Sequence, residues 1–432
     1  MSMLIRGGHL VDPAAGRDGI FDVLIKDGVV ADLVEWSNGE APVRQEKADE
    51  VIDATGKYVM PGFIDLHVHL REPGLEYKET IATGAMAAAA GGFTSVCPMP
   101  NTKPSTDTPE KITALLEKAK QDAKIHILPI GAISIGQEGK VLADIKGMAE
   151  AGAVAFSEDG KSVMNSALYA EGLKLAAEAG VPVFAHCEDI DLVRGGVMNA
   201  GARAKELGLP GITNAVEDII TARDIFLARE TGVQLHLCHC STKDSVKMIA
   251  MAKAEGLPVS GETGPHYFTM IDEEIPEDWG NYKMNPPLRG KEDKEALIKA
   301  LQDNVLEAIA TDHAPHSKEE KEQSMLKSPF GIVGSETAYA LTVTELVRKG
   351  KINMTQLVER MSASPAKILG INKGSLQVGM LADITVADTE TAWIIDPEKF
   401  YSKGKNTPFA GKEVYGKIYY TIADGKIAFE QK

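Results

Sequence analysis

Cysteine is scarce: Cys97, Cys187, Cys238 and Cys240 are the only four in 432 residues. They are too few and too unevenly placed for a disulfide framework in a chain of this size, which predicts a reduced, cytoplasmic protein. Positive charge is also short. Lys and Arg number 46 against 62 Asp and Glu, and the net charge of −16 disfavours a nucleic-acid backbone or an anionic membrane as partner. No apolar run approaches the roughly 18 residues of a membrane helix, and the first ten residues lack a signal-peptide pattern. Internal repeats and low-complexity segments are missing, as is the glycine-rich dinucleotide fingerprint. What is present is ordinary for a globular protein, 44% hydrophobic and 25% charged. The length suffices for one large domain plus a smaller one.

Both ends of the chain read as short strands and turns. Residues 22–25 run through Asp27-Gly28 into 29–34, and residues 417–422 run through Asp424-Gly425 into 426–429. An Asp-Gly pair between apolar runs is a hairpin signal. With a further strand at 383–387, these segments predict a small β-sheet domain built from both chain termini, residues 1–57 and 370–432. Residues 58–369 alternate differently. Apolar strands at 58–66, 94–98, 125–130, 153–156, 181–186, 233–238, 259–262 and 306–311 are interleaved with helical patterns at 78–90, 109–121, 167–179, 215–231, 244–255 and 293–302. This alternation predicts an α/β protein with a (β/α)8 TIM-like barrel; an open doubly wound sheet is the runner-up.

In a barrel the reactive groups sit at the strand C-termini. The first strand ends Leu66-His67-Val68-His69. Side chains i and i+2 of a strand share a face, so both imidazoles can reach one metal ion, with Arg71 on the same side. The fourth strand continues Ser157-Glu158-Asp159-Gly160, the fifth His186-Cys187-Glu188-Asp189, the sixth Cys238-His239-Cys240, and the eighth Thr311-Asp312-His313-Ala314-Pro315-His316. Four histidines and two carboxylates thus converge from five strands, a donor set that suits zinc. Six ligands are too many for one tetrahedral ion, whereas a bridging carboxylate allows two. Satisfied core histidines would require a coincidence at all five strand ends. That plainer reading is kept for His126 and His236, read as strand histidines facing away from the mouth, and for His9, read as a surface or small-domain residue. Cys238 and Cys240 flank His239 and by alternation point away from it, as packing residues. Lys318, Glu319, Glu320 and Lys321 read as helix-surface charges. They lie in a stretch, 317–330, that either closes over substrate or forms a solvated helix.

The run from Pro61 to His69 resembles the amidohydrolase superfamily. Arg71-Glu72-Pro73-Gly74, Met99-Pro100-Asn101-Thr102, Asn285-Pro286-Pro287-Leu288-Arg289 and the Thr311–His316 segment narrow the resemblance to the bacterial, type I dihydroorotase family, over nearly the whole chain. The resemblance implies that His67, His69 and Asp312 hold one zinc, that His186 and His239 hold a second, and that Asp159 bridges them with a hydroxide; a single zinc is the alternative. It implies attack of that hydroxide on a ring amide with Asp312 as general acid/base, and binding of the substrate carboxylate by Arg71, Asn101, Asn285 and His316. The reaction would be the reversible cyclisation of N-carbamoyl-L-aspartate to (S)-dihydroorotate and water in de novo pyrimidine biosynthesis. Many relatives bridge their metals with a carboxylated lysine on the fourth strand. Here Lys161 lies past the Asp-Gly turn, which counts against hydantoinase and dihydropyrimidinase. Glu158 stands where relatives often have aspartate, and His266 reads as either outer support or packing. Another cyclic amidohydrolase, such as allantoinase or hydantoinase, stays open. So does a non-catalytic partner of aspartate transcarbamoylase. The expected partners are a small-molecule substrate, a second copy in a homodimer and, as in some relatives, aspartate transcarbamoylase; no nucleic acid or membrane is expected.

Overall fold

Segments from both ends of the chain meet in one mixed sheet. The computed structural model describes residues 2–37 and 48–431. In it the strands lie in the order Lys426–Glu430, Glu413–Ala423, Ile384–Ile394, Tyr58–Pro61, Ser2–Asp12, Arg17–Lys26, Val29–Glu35, and Glu50–Asp53 also pairs with Ser2–Asp12. Two hairpins turn on Asp27-Gly28 and Asp424-Gly425, whose four residues all have positive φ, as a tight two-residue hairpin requires. Met3, Ile5, Leu10, Val23, Ile25, Val30, Ile384 and Val386 form one buried apolar cluster in this sheet, and the two carboxylates buried on its strands, Asp12 and Asp22, are hydrogen-bonded.

Between these ends lie the parallel strands, β1 (Phe63–Val68), β2 (Phe93–Pro98), β3 (His126–Ile127 and Ile130–Ala132), β4 (Ala155–Ser157), β5 (Val183–Ala185), β6 (Leu235–Leu237), β7 (Val259–Thr263) and β8 (Ala308–Ile309). Each pairs in parallel with the next. His313, just beyond β8, bridges in parallel to Val68 at the end of β1. Helices Ile81–Ala90, Pro109–Asp122, Ser166–Ala179, Ala215–Thr231, Lys243–Ala254 and Lys291–Gln302 alternate with the strands. Four of them start at a side-chain cap, Thr80, Thr108, Asn165 or Thr242, which accepts from otherwise unsatisfied helical N–H groups. Leu235 and Leu237 belong to the cluster that includes the helices, while Ile64, Leu66, Cys97, Phe184, Cys238 and Ala310 form a separate inner cluster. No helix among the described residues is long and apolar enough to cross a membrane.

The strand expected at 58–66 is two strands. Tyr58–Pro61 belongs to the terminal sheet, and the chain bends at Gly62, where an added Cβ would lie 2.2 Å from Thr94 Oγ1. The third strand is likewise interrupted, at Pro129, which has no N–H to donate. The 317–330 stretch holds only the short helix Lys318–Lys321. Lys321 is not a surface charge: it is buried, and its Nζ donates to the carbonyls of Lys283, Pro329 and Gly331.

Candidate metal centre

Six side chains gather where the parallel strands end. β1 delivers His67 and His69, and Asp159, His186, His239 and Asp312 follow β4, β5, β6 and β8. All six are buried. Asp159 faces all four imidazoles, through Oδ1 at 3.2 Å from His67 Nε2, 3.3 Å from His186 Nδ1 and 3.7 Å from His239 Nε2, and through Oδ2 at 3.5 Å from His69 Nε2. Asp312 Oδ1 lies 3.1 Å from His69 Nε2 and 3.6 Å from His67 Nε2, and His186 Nδ1 lies 2.8 Å from His239 Nε2. Two donors sharing a tetrahedral zinc at about 2.0–2.2 Å stand roughly 3.3–3.6 Å apart; the His186–Asp159, His69–Asp159 and His67–Asp312 spacings fall in that range and the others lie around it. Both ring nitrogens of His67 are buried with no well-aligned hydrogen bond, only carboxylate oxygens 3.2 Å from Nε2 and 3.4 Å from Nδ1. The donor set and these orphaned nitrogens fit a divalent metal.

Backbone and charge support the same reading. His239, Asp312 and Arg71 have φ of 35°, 47° and 62°. Non-glycine residues in that region are held there by their surroundings and concentrate at functional sites. Burial opposes ionisation of Asp159 and Asp312, but the facing histidines outweigh it and hold both carboxyls well below the ordinary carboxylate range. Glu262 on β7 is buried yet lowered to about 2, because His236 and His67 face it. Asp65 on β1 lacks such partners and is pushed up to about 7 by burial; it accepts from the backbone N–H and hydroxyl of Thr311, tying β1 to the segment after β8.

Around this cluster Arg71 is buried, with Nε donating to the Pro315 carbonyl and Nη2 3.3 Å from His316 Nε2. Lys78 Nζ lies 3.1 Å from His316 Nδ1 and 2.9 Å from Glu320, and His316 Nε2 lies 2.8 Å from the Phe330 carbonyl. With an ammonium donating to Nδ1, the imidazole proton sits on Nε2. Asn101 donates from Nδ2 to Asp159 and faces His69 Nδ1 with Oδ1, while Asn285 Nδ2 donates to Glu188. Glu188 lies 3.0 Å from His186 Nε2, which leaves Nδ1 as the nitrogen facing Asp159. His266 is buried with Nε2 unpartnered, and burial pushes it down to about 4, so it is neutral.

His236 does not face away from the centre. It lies inside, against Ser260 and against Glu262, the carboxylate that also faces His67. Strand alternation counted back from His239 fails because His239 itself has left the extended conformation. For the same reason Cys238 points inward with the inner cluster. Its thiol is pushed up by burial and stands close to His67 and Glu262. His126 pairs with Asp383 beside the terminal sheet, and His9 pairs with Asp18 at the surface. Sequence reading passed over Glu188, Glu262 and Lys78. Glu188 carried a signal, its i+2 spacing from His186, and Glu262 another, a charge within a predicted strand. Lys78 carried none, because its contact with His316 crosses 238 residues of chain.

Comparison with known proteins gives the class first. The chain overlays L-hydantoinase (dihydropyrimidinase) from Arthrobacter aurescens with a TM-score of 0.87 at 28% identity, covering 99% of this chain and 96% of that one. It overlays dihydropyrimidinase from Brevibacillus agri with a TM-score of 0.83 at 28% identity, covering 99% and 95%. It is thus an α/β enzyme of the amidohydrolase type. A family profile described as Dihydro-orotase-like matches residues 56–245. A dihydroorotase from Acetivibrio thermocellus is 46% identical over 100% of this chain and 99% of its own length, and one from Staphylococcus epidermidis is 48% identical over 89% and 90%. The chain belongs to the dihydroorotase family.

Proposed function

We propose that the protein is a dihydroorotase, which interconverts N-carbamoyl-L-aspartate and (S)-dihydroorotate in the pyrimidine pathway. The carrying observation is the cluster of four histidines with Asp159 and Asp312, in a chain that matches curated dihydroorotases at 46% identity over their full length. We read the eight parallel strands and the Val68–His313 bridge as one closed (β/α)8 barrel, with the terminal sheet as a smaller domain beside it. His67, His69 and Asp312 would hold one zinc, His186 and His239 a second, and Asp159 would touch both.

Divalent cations there would supply an activated water near neutral pH and polarise the carbonyl under attack. The remaining roles fall to the chain. In the hydrolytic direction Asp312, anionic and within reach of the two first histidines, takes the proton of the attacking water and delivers it to the departing ring nitrogen. In the biosynthetic direction it takes a proton from the ureido nitrogen and returns it to the departing oxygen. Arg71 offers a planar fork for the substrate carboxylate, with His316 beside it. Asn101 and Asn285 line the same mouth and, through His69, Asp159 and Glu188, hold the ligand shell in place.

The test is ring closure of N-carbamoyl-L-aspartate by purified, zinc-loaded protein, with zinc content measured on the same sample. Turnover with about two zinc ions per chain is expected. No turnover of this substrate, with good turnover of allantoin or hydantoins, would transfer the chain to another cyclic amidohydrolase. Less than one zinc after gentle purification would favour a non-catalytic role.

A further inference from the structure

Beneath the ligand layer lies a carboxylate with no assigned task. Glu262 is fully buried in the strand interior, and its ion-pair partners among the described residues are two histidines. Its Oε2 lies 3.0 Å from His236 Nε2, and His236 Nδ1 lies 2.8 Å from Ser260 Oγ. The other oxygen, Oε1, lies 3.4 Å from His67 Nδ1 and accepts the backbone N–H of His239 at 3.4 Å. One carboxylate oxygen therefore touches two candidate metal ligands that arrive on different strands. For His67 it meets the ring nitrogen turned away from Asp159 and Asp312. For His239 it holds the backbone of a residue at a φ of 35°.

A buried carboxylate facing no lysine or arginine is costly, several kcal/mol by general experience, and an apolar residue of similar volume would fill the space at less cost. Ile64, Leu66, Phe184 and Ala310 make up the apolar part of this layer, and the nearby buried Asp65 adds like charge rather than relief. Metal-bound histidines commonly give their second N–H to a carboxylate, which fixes the ring tautomer and raises its basicity. We propose that Glu262 is a positioning residue for the metal centre, directing His67 Nε2 and the His239 turn toward the cations, and that His236 and Ser260 hold Glu262 in that role. The proposal rests on the reading of the cluster as a metal centre and is independent of which cyclic amide is the substrate.

Glu262→Gln keeps the volume and the capacity to accept from the His239 N–H but removes the charge. The experiment compares the cobalt(II)-substituted variant and wild type by visible absorption, by cobalt competition against a chelator, and by thermal melting of both metal-free proteins. The expected result is cobalt affinity weaker by about 10–100-fold, shifted d–d bands, and a metal-free melting temperature no lower than wild type. His236→Gln should shift the bands the same way with a smaller loss of affinity, and it serves if the first variant does not fold. Wild-type affinity and bands in both variants would overturn the proposal. So would a lowered melting temperature with unchanged bands, since that marks a merely structural role. If the wild-type chain takes up no cobalt, the metal-centre reading itself fails, and this inference with it.

Discussion

The terminal sheet and the layer where the parallel strands end are both closed to solvent, and they are filled with opposite kinds of side chain. The sheet buries Met3, Ile5, Leu10, Val23, Ile25 and their neighbours, and its buried carboxylates, Asp12 and Asp22, are held by hydrogen bonds from the chain around them. The strand-end layer buries four histidines with Asp159, Asp312 and Glu262. Apolar burial stabilises by roughly 25 cal/mol per Å², whereas buried charges recover at best what their desolvation costs. The first region therefore supplies stability. The second draws on it to hold a constellation that water would otherwise dissolve. The difference teaches where substitutions should hurt folding and where they should hurt chemistry.

The largest effect is expected in the charged layer. Asp312→Asn removes the proposed proton carrier, and ring closure should slow by about 10²–10⁴-fold, with zinc mostly retained and the melting temperature unchanged or raised. Steady-state kinetics and metal analysis on one preparation check this; a folding defect of matching size would erase the contrast between the regions. Ile5→Ala is the mirror experiment. It empties a fully buried site in the sheet, and denaturant unfolding should show a loss of about 2–5 kcal/mol with kcat unaltered. A large change in kcat would mean that the sheet shapes the active site.

Arg71→Ala should raise KM for N-carbamoyl-L-aspartate by about 10–100-fold, the worth of a charge-assisted pair, with a smaller change in kcat. Unchanged kinetics would remove Arg71 from the carboxylate pocket. The smallest effect concerns Glu336, which accepts from the backbone N–H groups of Tyr401 and Ser402. No imidazole faces it, and burial pushes its carboxyl up to about 7 from an ordinary 4.5, the reverse of Asp159 and Asp312. The native state then holds a proton that the unfolded chain has released. Stability from this group is complete below pH 4.5 and is lost as pH rises through 7. Glu336→Gln should flatten that slope in melting curves recorded from pH 5 to 8.

The alternation of strands and helices was legible because glycine, proline and capping residues punctuate it. The helix expected at 215–231 is the helix observed, Ala215–Thr231, and both Asp-Gly hairpins turn where expected. The breaks at Gly62 and Pro129 lay inside continuous apolar runs, and hydropathy does not say which sheet a strand joins. In the site, the histidines and aspartates stood out as polar residues closing apolar strands. His236 was misassigned because period-two counting assumes an extended backbone, and His239 is not extended. Lys321 looked solvated because four helical residues carry no periodicity, and the carbonyls that cover it come from 283, 329 and 331.

The bond between Asp65 and Thr311 spans 246 residues. On a ribosome adding about 5–20 residues per second, roughly 12–50 s pass between the emergence of the first histidine pair and that of the aspartate opposite it. Through that interval the nascent chain carries imidazoles with no complete cage to place them in. Catalytic competence therefore arrives late and all at once, with the eighth strand, and a prematurely terminated chain is left with a fragment of a binding site rather than a weakened enzyme.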